Sequence, residues 1–315
     1  MSGSYIEQIK KLAETETTVD EWNIAQSLAR TSKVAVFIVA YNAENFLESV
    51  ISRIPVKIAE LLAEIVIFDD SSSDNTYQTG IGILKKFTNY NINIYRTPFN
   101  RGYGGNQKLG YLYCIKKNYD YVILLHGDGQ YAPEYIPKII AAFVEKTGKN
   151  GVDAVFASRM INKKRALAGG MPLYKWIGNQ LLTYIENRLL NLNLSEFHTG
   201  FRAYKVSSLR NIPFEYNSDN FNFDTEIIIQ AKSMKWNIAE VSLPAFYGDE
   251  KCRVNGMKYA ANCIKSIIHY RCVNLGVYYK RNFEFGIFET DNYQFKKSPF
   301  SLHAFIVSRF SNYNK

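Results

Sequence analysis

Tyr121-Val122-Ile123-Leu124-Leu125-His126-Gly127-Asp128-Gly129-Gln130 is the stretch whose reading decides the fold. A short apolar run of strand length stops abruptly at a polar turn that carries one carboxylate between two glycines. Outward from it the same shape recurs. The apolar run at 34–40 ends in Tyr41-Asn42, and that at 64–68 ends in Asp69-Asp70-Ser71-Ser72-Ser73-Asp74. The run at 92–95 leads to Asn100-Arg101-Gly102-Tyr103-Gly104-Gly105-Asn106, and that at 153–157 to Ser158-Arg159. Helical patterns lie between the runs, so the chain predicts βαβ units and an α/β fold: a mostly parallel, twisted sheet flanked by helices. In open sheets of this kind ligands bind beyond the carboxyl ends of the strands. Any one polar end is also what a turn or a helix cap looks like, and Ser73-Asp74 alone reads as a cap. All five together mark a binding edge.

Around this core the sequence divides into three parts. Residues 1–32 carry Ile6, Ile9, Leu12, Trp22, Ile24 and Leu28 among charges, which predicts a helical extension; residues 33–248 form the α/β domain; residues 249–315 are a basic, aromatic-rich extension. Past Arg159 the alternation fades. Lys163, Lys164, Arg165 and Gly169-Gly170 read as a mobile loop, followed by a helix bearing Trp176, Ile177, Leu181, Leu182, Ile185 and Leu189. A polar cluster, His198-Thr199-Gly200-Phe201-Arg202, comes next, then Phe223-Asp224-Thr225-Glu226 opening an apolar helix, and a strand at 237–243.

Nucleotide classes separate at the first strand end. A dinucleotide-binding dehydrogenase needs glycines there, whereas this chain has Tyr41-Asn42-Ala43-Glu44. The glycines at 102–105 follow the third strand and lack the Lys-Ser or Lys-Thr pair of a P-loop. Carboxylates beside a diphosphate normally act through a divalent metal, and Asp128 is the best-placed ligand. His126 and Gln130 lie two residues to either side, so an extended backbone turns all three side chains the same way. Oxygen plus imidazole ligation suits Mn²⁺ better than Mg²⁺. The alternative for His126 is a bond to backbone.

Together these motifs resemble the family 2 glycosyltransferases of GT-A fold, closest to the dolichol-phosphate mannose synthase branch, over about residues 33 to 248. The resemblance implies a sugar moved from a UDP- or GDP-linked donor with inversion at the anomeric carbon. It implies that Tyr41 and Asp70 face the base and ribose, with Asn42, Asp69, Asn100, Arg101, Gly102 and Gly127 in the same nucleotide-sugar motifs. Asp128 and Gln130 would hold a Mg²⁺ or Mn²⁺ ion, and Arg202 the phosphates of donor or acceptor. Two departures stand out: His126 occupies a position where relatives commonly carry a carboxylate, and His198 one where many carry an acidic residue. His198 then serves either as a base or hydrogen-bond donor, or in a purely structural role.

The acceptor decides whether a base is needed. A polyprenyl phosphate is already anionic and needs cations, for which Arg159, Lys175, Arg202 and the basic stretch 163–165 are candidates. A saccharide hydroxyl needs a general base, for which Asp224 or Glu226 would serve; both also suit a helix N-terminus. A third reading is a non-catalytic nucleotide-binding protein whose His126 has disabled the metal site.

Charge and composition bear on partners. The formal net charge is +9, and the last 65 residues alone hold 11 Lys or Arg against 3 acids, so the excess sits in the tail. Met257, Ala260, Ala261, Ile264, Ile267 and Ile268 recur there at helical spacing, with Lys258, Lys265, Arg271, Lys280 and Arg281 among Tyr270, Tyr278 and Tyr279. Either the stripe packs on the domain or it lies on an anionic membrane. A lipid partner is expected rather than nucleic acid. Cys114, Cys252, Cys263 and Cys272 form no metal-binding or disulfide pattern, and no stretch is long and apolar enough to span a bilayer. A cytoplasmic protein, at most peripheral on the membrane, is the expectation.

Overall fold

The structure, a computed structural model, describes residues 3–145, 151–245, 247 and 255–274. Expectations placed on Cys252, Tyr278, Tyr279, Lys280 and Arg281 lie outside the described residues. The chain opens with helices α1 (Gly3–Glu16) and α2 (Val19–Thr31), then runs β1 (Val34–Ala40), α3 (Leu47–Ser52), α4 (Val56–Ala59), β2 (Glu64–Asp69) and α5 (Thr76–Lys86). It continues through β3 (Ile92–Arg96), α6 (Gly102–Lys116), β4 (Tyr121–His126), α7 (Ile136–Glu145), β5 (Ala154–Ser158), α8 (Lys163–Ala168) and α9 (Leu173–Leu190). The last elements are β6 (Arg202–Lys205), α10 (Val206–Arg210), α11 (Phe223–Ser233), β7 (Ile238–Ser242) and α12 (Gly256–Asn274).

The strands form one sheet in the order β3-β2-β1-β4-β6-β5-β7. All pairings are parallel except those of β6, which runs antiparallel to both β4 and β5. All seven residues of β1 are buried, because helices cover both faces. Alternate side chains divide between two cores, Val34, Val36 and Ile38 on one face and Ala35, Phe37 and Val39 on the other.

The sequence reading located β1 to β5 and β7 but not β6. Its four residues, Arg-Ala-Tyr-Lys, begin and end in charge and read as part of a polar cluster, yet Arg202, Ala203 and Tyr204 are buried. A second correction concerns the basic stretch after Arg159. It is the short helix α8 rather than a loop: Asn162 Oδ1 accepts from Arg165 N at 3.1 Å, and Ala166 packs with Met160, Met171 and Ala245.

The N-terminal helices are attached by specific bonds. At the start of α2, Glu21 N donates to Thr18 Oγ1 (3.1 Å) and Thr18 N to Glu21 Oε2 (2.7 Å), a reciprocal cap. Tyr135 Oη donates to Glu16 Oε2 at 2.7 Å, and Arg165 pairs with Glu16 at 2.6 Å, so α1 braces both the turn before α7 and α8.

Helix α6 lies close against the sheet because of Gly110. A methyl group there would sit 2.1 Å from the Phe37 ring. Gly110→Ala is therefore expected to destabilise the fold by about 1–3 kcal/mol through overpacking, visible as a lower denaturant midpoint at unchanged slope.

Candidate active site

Register assembles the site. Parallel pairing sets Ala40 beside Asp69 and Val39 beside His126, so β1, β2 and β4 deliver their polar ends to one edge. The first two ends are laced together: Asn42, at φ 49°, donates its N–H to Ser72 Oγ (2.8 Å) and accepts at Oδ1 from Ser73 N (2.9 Å). Tyr41 remains exposed beside this lacing.

The acidic pair at the end of β2 turns inward. Asp69 Oδ1 accepts from both the N–H and the hydroxyl of Ser72, while Arg96 Nε lies 3.4 Å from Oδ2. Asp70 accepts from Arg101 N (2.7 Å), Gly102 N (2.9 Å) and Thr97 Oγ1 (3.2 Å). Burial raises the Asp70 pKa, and these hydrogen bonds only partly offset it. Asp70 thus shapes the 100–102 loop. Asn100 Nδ2 donates back to the Asp70 carbonyl at 3.2 Å, and the Arg101 guanidinium stacks 4.0 Å from the Phe99 ring centre. Gly102, at φ 79°, has the Asp219 carbonyl where a side chain would go. The glycine is accordingly required by packing as well as by its backbone angle.

At the end of β4 the expected geometry fails for a local reason. The strand stops at His126, and residues 127–128 form a turn, so the alternation that would align His126, Asp128 and Gln130 is lost. Gly127 packs against Ala40 and Leu47, and Asp128 Oδ1 accepts from Gln130 N at 3.0 Å. The His126 ring points to the start of β6 and the N-terminus of α11. Its Nε2 lies 3.2 Å from Tyr103 Oη, which donates to Asp224 Oδ2 at 2.9 Å. A hydroxyl has one proton and a carboxylate only accepts, so the proton between Tyr103 and His126 belongs to Nε2, leaving the lone pair on Nδ1. Burial holds the His126 pKa below its ordinary value against the pull of Asp128 and Asp224.

Arg202 is placed differently from the phosphate-binding role that the resemblance implies. It is fully buried, donating from Nε to Thr199 O (2.7 Å), from Nη2 to Phe197 O (2.6 Å) and from Nη1 to Asp224 O (3.2 Å). Burial opposes its charge, but Asp224, 3.8 Å away, acts together with Tyr204 and Tyr103 to keep its pKa raised. Asp224 also accepts from Gln107 Nε2 at 3.1 Å, so both of its oxygens are engaged. Glu226 is buried on the other side of α11, accepting from Ser218 N (2.6 Å) and Ser266 Oγ (3.0 Å). His198 likewise turns away from the strand ends, with Nδ1 2.9 Å from Tyr259 Oη and Nε2 3.2 Å from Glu186.

Two of the acceptor candidates meet at one aromatic ring. Arg159 Nη1 donates to Tyr247 Oη at 3.1 Å, and Lys175 Nζ lies 5.1 Å from the Tyr247 ring centre. Arg159 is held from behind by Glu196, which the sequence reading passed over two residues before His198. Glu196 accepts from Arg159 N (2.8 Å) and Nε (3.1 Å) and from Asn179 Nδ2 (2.9 Å). Tyr103 and Tyr131 were also missed; Tyr131 Oη accepts from Gly200 N at 2.6 Å. A tyrosine that orients another side chain carries no mark in sequence.

For a metal, the described residues offer a restricted fit. No three His, Cys, Asp or Glu side chains among them converge into a cage. Asp128, partly exposed and accepting one backbone hydrogen bond, matches the looser mode in which Mg²⁺ or Mn²⁺ keeps waters and shares diphosphate oxygens.

A sequence model of the family described as "Glycosyl transferase family 2" matches residues 35–212. This chain belongs to that family. It is a glycosyltransferase. A UDP-N-acetylglucosamine–dolichyl-phosphate N-acetylglucosaminyltransferase of Methanococcus voltae is 27% identical over 228 residues, 68% of this chain and 86% of that protein. An undecaprenyl-phosphate mannosyltransferase of Micrococcus luteus is 22% identical over 212 residues, 67% of this chain and 82% of that one. Glucosyl-3-phosphoglycerate synthase from Mycobacterium tuberculosis, in complex with UDP, superposes with a TM-score of 0.57 at 17% identity, covering 80% of this chain and 83% of that one. A structure of the same enzyme with Mn²⁺, UDP-glucose and phosphoglyceric acid gives 0.57 at 16% identity, covering 80% and 82%. The fold of the glycosyltransferase is therefore GT-A.

Glu196 offers a pH test. Burial works to raise its pKa, but Arg159 and the donors around it hold it below the ordinary glutamate value of 4.5. A carboxylate depressed on folding contributes stability that is full above the unfolded pKa and is lost as pH falls through the folded one. Glu196→Gln is expected to cost about 3 kcal/mol at neutral pH by leaving Arg159 uncompensated. It should also flatten the loss of stability below pH 4.5, as read from denaturant midpoints against pH.

Proposed function

We propose that this glycosyltransferase moves a sugar from a UDP- or GDP-linked donor onto a polyprenyl phosphate, with inversion at the anomeric carbon. The observation that carries the reading is the state of the two carboxylates a hydroxyl acceptor would call upon. Asp224 is committed to Tyr103, Gln107 and Arg202, and Glu226 to Ser218 and Ser266. An acceptor that is already anionic needs no base. It needs cations that position its phosphate, and Lys175 and Arg159 around Tyr247 are suited to that. The relatives whose names specify dolichyl and undecaprenyl phosphate support the same acceptor class.

On the donor side, exposed Tyr41 beside the Asn42–Ser73 lacing would receive the base, and the Asp70-braced loop the ribose and diphosphate. A divalent cation held at Asp128 would neutralise charge on the departing diphosphate. His126, with its proton on Nε2 facing Tyr103, keeps an Nδ1 lone pair that would accept from a hydroxyl of the donor sugar. We place the reaction at the cytoplasmic membrane face, the chain being peripheral.

Release of nucleoside diphosphate by purified protein, with and without polyprenyl phosphate, tests the reading. Asp128→Ala should lower lipid-dependent release by about 100-fold or more. Glu226→Gln should release near the wild-type rate while melting at a lower temperature, since its bonds hold α11 to α12. Stimulation by a saccharide and not by polyprenyl phosphate would overturn the acceptor assignment.

A further inference from the structure

Helix α9 carries an apolar stripe on its outward face. The outward positions of a helix on a globular domain are normally polar, with the apolar stripe inside. Here Leu173 is 60% exposed, Tyr174 73%, Ile177 51%, Leu181 59% and Tyr184 62%. These residues follow each other at helical spacing along about three turns of one face. Polar residues share the inward face with Leu182 and Leu190. Asn179 donates to Glu196, Thr183 Oγ1 lies 3.2 Å from Asn179 Oδ1, Glu186 Oε1 accepts from Thr225 Oγ1 at 3.3 Å, and Asn187 bonds the Leu194 backbone twice. The inward face is thus fixed by its hydrogen bonds, and the helix cannot roll to hide the apolar one without leaving buried polar groups unpaired. Such a contiguous apolar stripe on the surface marks an interaction site.

The charges beside it indicate what covers it. Helix α9 packs against both α8 and α12. In the sequence of these three helices the only acidic residue is Glu186, and it is buried. Lys163, Lys164, Arg188, Lys258 and Lys265 are all exposed on the same three helices. Met257 and Ile268 of α12, to either side of Lys258 and Lys265 in the sequence, add exposed apolar area. Apolar side chains framed by unopposed cations are complementary to a bilayer with anionic headgroups, where the apolar groups enter the acyl boundary and the cations meet phosphates.

We propose that the α9 face, flanked by α8 and α12, docks this protein on an anionic phospholipid surface. The proposal rests on the polyprenyl-phosphate reading for its purpose: Lys175 at the start of α9 and Arg159 meet at Tyr247, so a docked α9 brings the acceptor cations to the headgroup layer. Its physical basis, the exposed apolar stripe of α9 beside exposed cations, is independent of that reading.

The experiment uses the full chain with an environment-sensitive fluorophore on a cysteine introduced by Ile177→Cys, titrated with vesicles of phosphatidylcholine alone or with added phosphatidylglycerol. The expected result is a blue shift on the mixed vesicles only, reversed by high salt. It should be accompanied by co-sedimentation that falls at least tenfold in the double variant Ile177→Glu, Leu181→Glu. Both side chains are exposed, so that variant should melt with the parent. A probe already blue-shifted without vesicles would mean that another part of the chain or a second copy covers the face, and would overturn the proposal. Equal co-sedimentation of variant and parent would do the same. Vesicle binding is read without turnover, so loss of the acceptor assignment and loss of the docking surface remain separate results: the double variant should still release nucleoside diphosphate with a detergent-dispersed acceptor.

Discussion

A fully buried arginine organises the active edge of this molecule. Removing a guanidinium from water costs several kcal/mol, and that cost is met only where its donors and charge are matched. Arg202 finds the match in the carbonyls of Phe197, Thr199 and Asp224 and in the Asp224 carboxylate. Those partners belong to the segment before β6 and to the first turn of α11, so the arginine joins two parts of the chain that meet behind β4. Once Asp224 is fixed, Tyr103 is fixed by it, and His126 by Tyr103. Gly200 completes the arrangement, because a methyl group there would fall 2.4 Å from His126 Nε2.

This wiring changes what the charged residues can do. Of the carboxylates near the strand ends, Asp70 is occupied by the backbone of the 100–102 loop, Asp224 by the arginine network and Glu226 by the α11–α12 contact. Asp128 stands apart, on a turn, with its carboxylate partly exposed. A site whose described carboxylates Asp70, Asp224 and Glu226 are engaged, with Arg159 and Lys175 gathered at Tyr247, is better suited to positioning anions than to abstracting protons. The same logic extends to α9, whose Asn179 supports Arg159 through Glu196 and whose outward face carries an apolar stripe.

The sheet and its active edge were legible in the sequence because apolar runs of strand length end in polar turns at regular intervals, and burial on both faces needs nothing more than such runs. Strand β6 was not legible, since its burial depends on Arg202 finding carbonyl partners from elsewhere in the chain. The identity of the motif residues was legible, while their directions were not. Asp70, Arg202 and Glu226 each turn toward their own chain, and the alternation assumed for His126, Asp128 and Gln130 is broken by a turn at Gly127. The apolar residues of α9 were seen at helical spacing, but spacing cannot say which side of a helix faces the core. The supporting residues Tyr103, Tyr131 and Glu196 leave no sequence pattern because each acts on a partner distant in the chain.

The central claim is that transfer at this site requires no proton abstraction from the acceptor. Single-turnover release of nucleoside diphosphate in the presence of polyprenyl phosphate, compared in H₂O and D₂O, tests it most directly. The account predicts lipid-dependent release with a solvent isotope effect indistinguishable from unity. Release driven only by a saccharide hydroxyl, slowed clearly in D₂O, would contradict it.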